Sequence, residues 1–215
     1  MIASASTRTL HVANQRRDHV FLNCPFDAGY KPVFDSIVFA VTDLGFVARS
    51  AREQDDGGDV RLSKIERIIE ECKYGIHDIS AVELDPVNNL PRFNMPLELG
   101  LFLGCRRFGN AIQRRKVSLI LDSHQYRYQV FISDIAGQDI HAHGGQPENA
   151  IREVRQWLAV ASKHTKLPGG NDIVNRYRRF RDGFPILCAE ARLEPQEVTF
   201  KDLQRMMVSW LRLNR

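Results

Sequence analysis

Glu98 is the residue of this chain whose setting most invites chemistry. It interrupts an otherwise apolar run, Met95-Pro96-Leu97-Glu98-Leu99-Gly100-Leu101-Phe102-Leu103-Gly104. Coiled as a helix, that run puts Glu98 on one face with Leu101, Phe102 and Cys105, at i+3, i+4 and i+7. Carboxylates seldom enter an apolar face without a partner or a task. Held there, one can stabilise or attack a centre of developing positive charge, or move a proton. A structural reading competes: a Glu near a helix start complements the macrodipole and can complete a capping box. Pro96 suits a first helical position, because the N–H it lacks would have no partner there. Gly100 and Gly104, four apart, would let another element approach that side closely.

Two further polar clusters could join Glu98. One is Asn23-Cys24-Pro25-Phe26-Asp27, continued by Tyr30; the other is Asp78-Ile79-Ser80; Asn94 stands at the helix mouth itself. Each has a plainer alternative. Asn23 to Gly29 reads equally well as an Asx or proline turn, and Asp78 as a strand-end residue capping backbone amides. The polar Asp55 to Asp59 stretch reads as a solvated loop.

The elements that must position these residues follow from periodicity. His19 to Asn23 is a short apolar run ended by a Pro-containing loop, hence a buried strand. Phe34, Ile37, Val38, Val41 and Leu44 keep helical spacing, and Gly45 ends that helix. Phe46 to Ser50 reads as a second strand, Leu62 to Cys72 as an amphipathic helix and Tyr74 to Ser80 as a third strand. The Glu98 helix comes next, and Val117 to Asp122 is a fourth strand. Tyr128 to Ile132 is either a fifth strand or a short helix. Such alternation predicts an α/β fold with a doubly wound parallel sheet, flavodoxin-like in strand order. In that order ligands bind beyond the carboxyl ends of the first and third strands, where Asn23 and Asp78 stand.

After about residue 146 the alternation stops. Pro147 to Ser162 is helical in pattern, and Asn171 to Ala191 reads as one or two helices interrupted near Gly183 and Pro185. Thr199-Phe200-Lys201-Asp202 opens a last helix as a capping box, with Leu203, Met206, Met207 and Trp210 on its core side. The expected organisation is a lead-in over 1–17, an α/β domain over 18–145 and a basic helical extension over 146–215. Residues 150–215 hold 13 Lys/Arg against 7 Asp/Glu, whereas the rest of the chain is close to neutral.

Composition narrows the class. With 43% hydrophobic and 26% charged residues the chain is of ordinary globular make-up. No run nears the roughly 18 apolar residues of a membrane span, and Met1 to Asp18 lacks the apolar core of a secretory signal. Cys24, Cys72, Cys105 and Cys188 form no Cys-x-x-Cys pair, so free thiols in a reducing cytoplasm are expected. His141 and His143 lack the neighbours of a ligand set, and no metal is expected. Neither a Gly-x-Gly-x-x-Gly loop nor a P-loop is present, which argues against a hydride-transferring dehydrogenase.

The stretch Phe21-Leu22-Asn23-Cys24-Pro25-Phe26-Asp27, Asp78 after the third strand, and Asn94-Met95-Pro96-Leu97-Glu98-Leu99-Gly100 together resemble the TIR-like and nucleoside 2-deoxyribosyltransferase-like domains. The resemblance covers roughly residues 18–135. It departs in two places: Asn94-Met95-Pro96 replaces the Trp-Cys pair of many TIR domains, and the Asp-Ser-Gly-Thr type of loop of many deoxyribosyltransferases is missing. Many members of this group cleave N-glycosidic bonds of nucleosides or NAD. The resemblance therefore implies catalysis by Glu98, with Asp78 as second carboxylate, and a nucleotide or dinucleotide site using Asn23, Pro25, Phe26, Asp27, Tyr30 and Asn94. Phe26, Tyr30 or Phe93 would stack on a base, and Asn23 and Asn94 would hold ribose hydroxyls.

Leaving-group chemistry favours NAD, as substrate and not as cofactor. Nicotinamide departs neutral from a cationic pyridinium and needs no general acid, so one carboxylate suffices; an ordinary nucleoside would require a second acid such as Asp78 or Asp27. In a bacterial setting the resemblance implies an effector acting in stress or phage infection. The alternatives are a non-catalytic nucleotide-binding or assembly module, with self-association through the C-terminal helices, and nucleic-acid binding through Arg176, Arg178, Arg179 and Arg181 with Tyr177 and Phe180 interleaved. A salt-bridged helix face explains that last pattern more simply and argues against nucleic acid as a partner.

Overall fold

The computed structural model describes residues 18–53, 56–85 and 87–214. The lead-in over 1–17 and part of the Asp55 to Asp59 loop thus lie outside the described residues. Five strands, β1 (His19–Asn23), β2 (Val47–Arg49), β3 (Tyr74–Asp78), β4 (Val117–Asp122) and β5 (Ile140–Ala142), form one sheet in the order β2-β1-β3-β4-β5. The β1–β2, β1–β3 and β3–β4 pairs are parallel. This is the flavodoxin-like order, with a helical extension at the C-terminus. The helices are α1 (Lys31–Asp43), α2 (Arg61–Glu71), α3 (Asn94–Phe108), α4 (Tyr128–Phe131), α5 (Pro147–Ala161), α6 (Gly170–Glu190) and α7 (Phe200–Asn214). Among the described residues no helix is long and apolar enough to cross a membrane.

Packing divides the chain into two compact units. Of the described residues, the first comprises those up to Pro25 and those within Phe46–His141, and the second comprises Phe26–Gly45 and those from Ala142 onward. Helix α1, which the sequence places inside the α/β alternation, thus groups with the C-terminal helices.

In the first unit, β1 and β3 are almost wholly buried on both faces, as strands inside a parallel sheet are, with the polar Asn23, His77 and Asp78 at their carboxyl ends. Phe21 joins Ala51, Ile65, Ile68, Ile69, Cys72 and Phe102 in one cluster. Ile79, Leu99, Ile120 and Tyr128 form another, against which Leu103, Ile132, Ile135 and Ile140 pack. Tyr128 to Phe131 is a short helix, and the fifth strand is the three-residue β5. The buried Lys116 lies just before β4 and donates to the carbonyls of Ile69 (2.5 Å) and Cys72, closing the C-terminus of α2 with a cation.

In the second unit, α1 ends with Gly45 at φ +86°, the left-handed geometry that glycine allows. Phe39 contacts the rings of Tyr177, Phe180 and Trp210. Helix α6 runs unbroken through Gly183 and Pro185, against the expected interruption. Phe180, Phe184 and Cys188 are buried on both sides of Pro185, and their packing holds the helix across the missing hydrogen bond. The capping box of α7 is formed: the Asp202 N–H donates to Thr199 Oγ1 (3.2 Å), and the Thr199 N–H donates to Asp202 Oδ2 (3.2 Å). The buried stripe of α7 is Phe200, Leu203, Met207 and Leu211; Met206 and Trp210 are half-buried beside it.

Candidate functional site

β1 and β3 lie side by side, with Asn23 in register with His77, so their carboxyl ends open at one edge of the sheet. Asn23 is buried there, and its side-chain nitrogen donates to the Met95 carbonyl (2.8 Å) and to His77 Nδ1 (3.1 Å). Both amide hydrogens are thereby committed. The bond to Met95 ties the first turn of α3 to the end of β1, which places Glu98 at this edge.

Because an amide nitrogen can only donate, His77 Nδ1 accepts, and the ring proton sits on Nε2. His77 Nε2 is buried without a hydrogen-bond acceptor among the described residues. The imidazole meets Phe102 edge-on at 4.8 Å and Phe21 at 5.8 Å between centroids. Burial, then the charge of Lys116, pushes its pKa down to about 3, so the ring is neutral at physiological pH. Gly75 makes this packing possible, since a Cβ there would lie 2.6 Å from His77 Nε2 and 2.8 Å from Phe102. Sequence reading passed over His77; its signal is a lone imidazole within an apolar strand, in register with Asn23.

Asp78 is fully buried, and its Oδ1 accepts from the N–H of Ser80 (2.8 Å) and from the Ser80 hydroxyl. It thus shapes the turn that leaves β3, as the plainer sequence alternative holds. Arg127 braces that turn by donating to the Ser80 carbonyl (2.6 Å) and to the buried Asp122 (2.6 Å) at the end of β4.

Helix α3 begins at Asn94, two residues before the expected start, and Pro96 is its third residue, where the missing N–H still costs no helical bond. Phe93 precedes it as N-cap, with no side-chain capping bond. Glu98 is therefore the fifth helical residue, beyond the capping positions, and the capping-box reading fails. Only 5% of its surface is exposed. No hydrogen bond to a described residue holds its carboxyl. Burial raises its pKa to about 7, with the charge of Arg61 pulling weakly the other way. Such a group is half-ionised near neutrality and, once ionised, poorly solvated. It is suited to act on a cationic centre.

Asn94 is exposed at the helix mouth, and Pro25 is buried at the end of β1. Phe26, Asp27 and Tyr30 belong to the second unit. There the exposed Asp27 accepts from the N–H of Tyr30, three residues on (2.8 Å), in the turn leading into α1. Phe26 meets Phe34 edge-on, and the buried Tyr30 meets His143.

The arginines of α6 are engaged within their own unit. Arg176 pairs with the buried Asp43 (2.7 Å), Arg181 with the buried Asp35 (3.3 Å) and Arg178 with Glu148 (3.4 Å), while Arg179 lies over Trp210. Tyr177 and Phe180 are buried, which removes the aromatic platform of the nucleic-acid alternative.

Comparison of the chain with protein-family models, with curated proteins and with solved structures finds no match. The flavodoxin-like topology therefore rests on the strand order, and the site on its own geometry.

Proposed function

We propose that this protein is a nucleotide N-glycosidase of TIR-like type, cleaving the nicotinamide–ribose bond of NAD. The observation that carries the reading is the Glu98 carboxyl: desolvated, held by no hydrogen bond to a described residue, and anchored through Met95 and Asn23 at the carboxyl edge of a flavodoxin-like sheet. In the reaction the C1′–N bond breaks and its electron pair neutralises the pyridinium, which leaves as nicotinamide. Ionised Glu98 stabilises the oxocarbenium-like sugar. Water adds at C1′ and loses a proton, giving ADP-ribose. Asp78, engaged by Ser80, contributes to the geometry of the edge; the neutral leaving group requires no acid from it.

The test is incubation of the full chain with NAD and with a nucleoside panel, Glu98→Gln alongside, followed by product chromatography. Nicotinamide release by the wild type alone, rising with pH through about 7 as Glu98 ionises, supports the proposal. Equal release by both proteins refutes the role of Glu98. A second reading, a non-catalytic nucleotide-binding module, is favoured by the internal hydrogen bonds that occupy Asn23 and Asp78. It predicts ligand binding by calorimetry with turnover in neither protein.

A further inference from the structure

We propose that the outer face of α3 docks an acidic amphipathic helix of a partner protein. On its partly exposed flank this helix carries an apolar trough of about 710 Å³, lined chiefly by Leu97, Gly100, Leu101, Gly104, Cys105 and Phe108, of which Leu101 and Cys105 also pack against the Phe21–Phe102 cluster. The sequence suggested that Gly100 and Gly104 admit a neighbouring element, yet a Cβ added at either would meet nothing within 4 Å. The glycines form an open floor, and Leu97 and Phe108 rise at its ends, 55% and 82% exposed. From Leu97 to Phe108 the trough runs about 17 Å, three helical turns. A helix of similar length, packing its apolar ridge between these rows, fills it.

Charge selects the partner. Between Glu98 and Asp122 the chain holds no carboxylate but five cations. Lys116 is buried against the carbonyls of Ile69 and Cys72. Arg106, Arg107, Arg114 and Arg115 are exposed, and among the described residues none of them forms an ion pair. Ile112, 74% exposed, stands among them. The face is thus an apolar trough whose basic end carries four arginines outside any ion pair among the described residues, with Glu70 of the neighbouring helix the carboxylate beside it. A flat bilayer leaves a concave floor unfilled, and nucleic acid offers no apolar ridge. A second copy docking by the same face would bring four more guanidiniums into one interface. An acidic amphipathic helix satisfies both features, and the inference is independent of catalysis at Glu98.

The test uses the full chain and a fluorescein-labelled helical peptide of about 17 residues, leucines along one face and glutamates flanking it. Expected is saturable binding by anisotropy that weakens about tenfold or more in Gly100→Phe/Gly104→Phe, which fills the trough, and separately in Arg106→Glu/Arg107→Glu. A peptide with lysines in place of the glutamates should not bind. Cys105 is the cysteine that is not fully buried, so bound peptide should also slow its reaction with maleimide. Circular dichroism checks that the variants fold. Absence of saturable binding, binding indifferent to both variants, preference for phosphatidylserine vesicles or duplex DNA, or self-association through this face would each overturn the proposal.

Discussion

Replacing Glu98 by Gln should stabilise the protein above neutral pH. With the pKa of the carboxyl raised from 4.5 to about 7, the folded protein holds a proton there that the unfolded chain releases. Stability from this group is complete below pH 4.5 and is lost as pH rises to 7, at 1.36 kcal/mol per unit, so about 3 kcal/mol is missing by pH 8. His77 acts in the opposite sense. Its pKa falls from 6.5 to about 3, so its contribution is complete above pH 6.5 and is lost as pH falls. Between pH 4.5 and 6.5 the two slopes oppose, and the wild type should show a nearly flat profile there from this pair. Glu98→Gln removes the falling slope. The variant should gain about 1.4 kcal/mol per pH unit over that interval and exceed the wild type by about 3 kcal/mol at pH 8, roughly 6–12 °C in Tm. Urea unfolding followed by far-UV circular dichroism is the suitable assay, because Trp157 and Trp210 both lie in the second unit and would not report on Glu98. A pH-independent difference between the two proteins, or a variant no more stable at pH 8 than at pH 4.5 relative to wild type, would refute desolvation of Glu98.

Three other perturbations test the frame around it. Gly75→Ala forces a methyl against His77 and Phe102 and should cost about 1–3 kcal/mol, read as a lower urea midpoint at unchanged slope. Asn23→Ala leaves His77 Nδ1 and the Met95 carbonyl without their donor; a loss of about 2–4 kcal/mol is expected, with faster hydrogen exchange in the first turn of α3. Arg176→Ala leaves the buried Asp43 without its guanidinium and should cost about 3 kcal/mol in thermal unfolding, while Arg178→Ala, whose partner pair is exposed, should cost under about 1 kcal/mol.

Much of the fold was legible in the chain because its signals are local. The apolar run of β1, the helical spacing in α1, the capping box of α7 and the continuous burial of β3 each depend on a few neighbouring residues. Where local signals were weak the reading stopped short. β5 is three half-buried residues, too short to show a period. Helix α6 passes Pro185 only because distant side chains hold it on both sides.

The site divides in the same way. The sequence alone marked Glu98, because a carboxylate in an apolar helical run is anomalous whatever surrounds it, and it marked the two strand ends beside it, because strand alternation fixes where a parallel sheet opens. Tertiary structure decided the rest. It excluded Glu98 from the helix cap and removed the groups that would solvate it, which sets its pKa. It joined Asn23 to His77 and Met95 across 54 and 72 residues, and it set Arg176 and Arg181 against Asp43 and Asp35. Those properties belong to pairs of groups brought together by packing, and burial and pairing are energies of position that no single stretch of sequence carries.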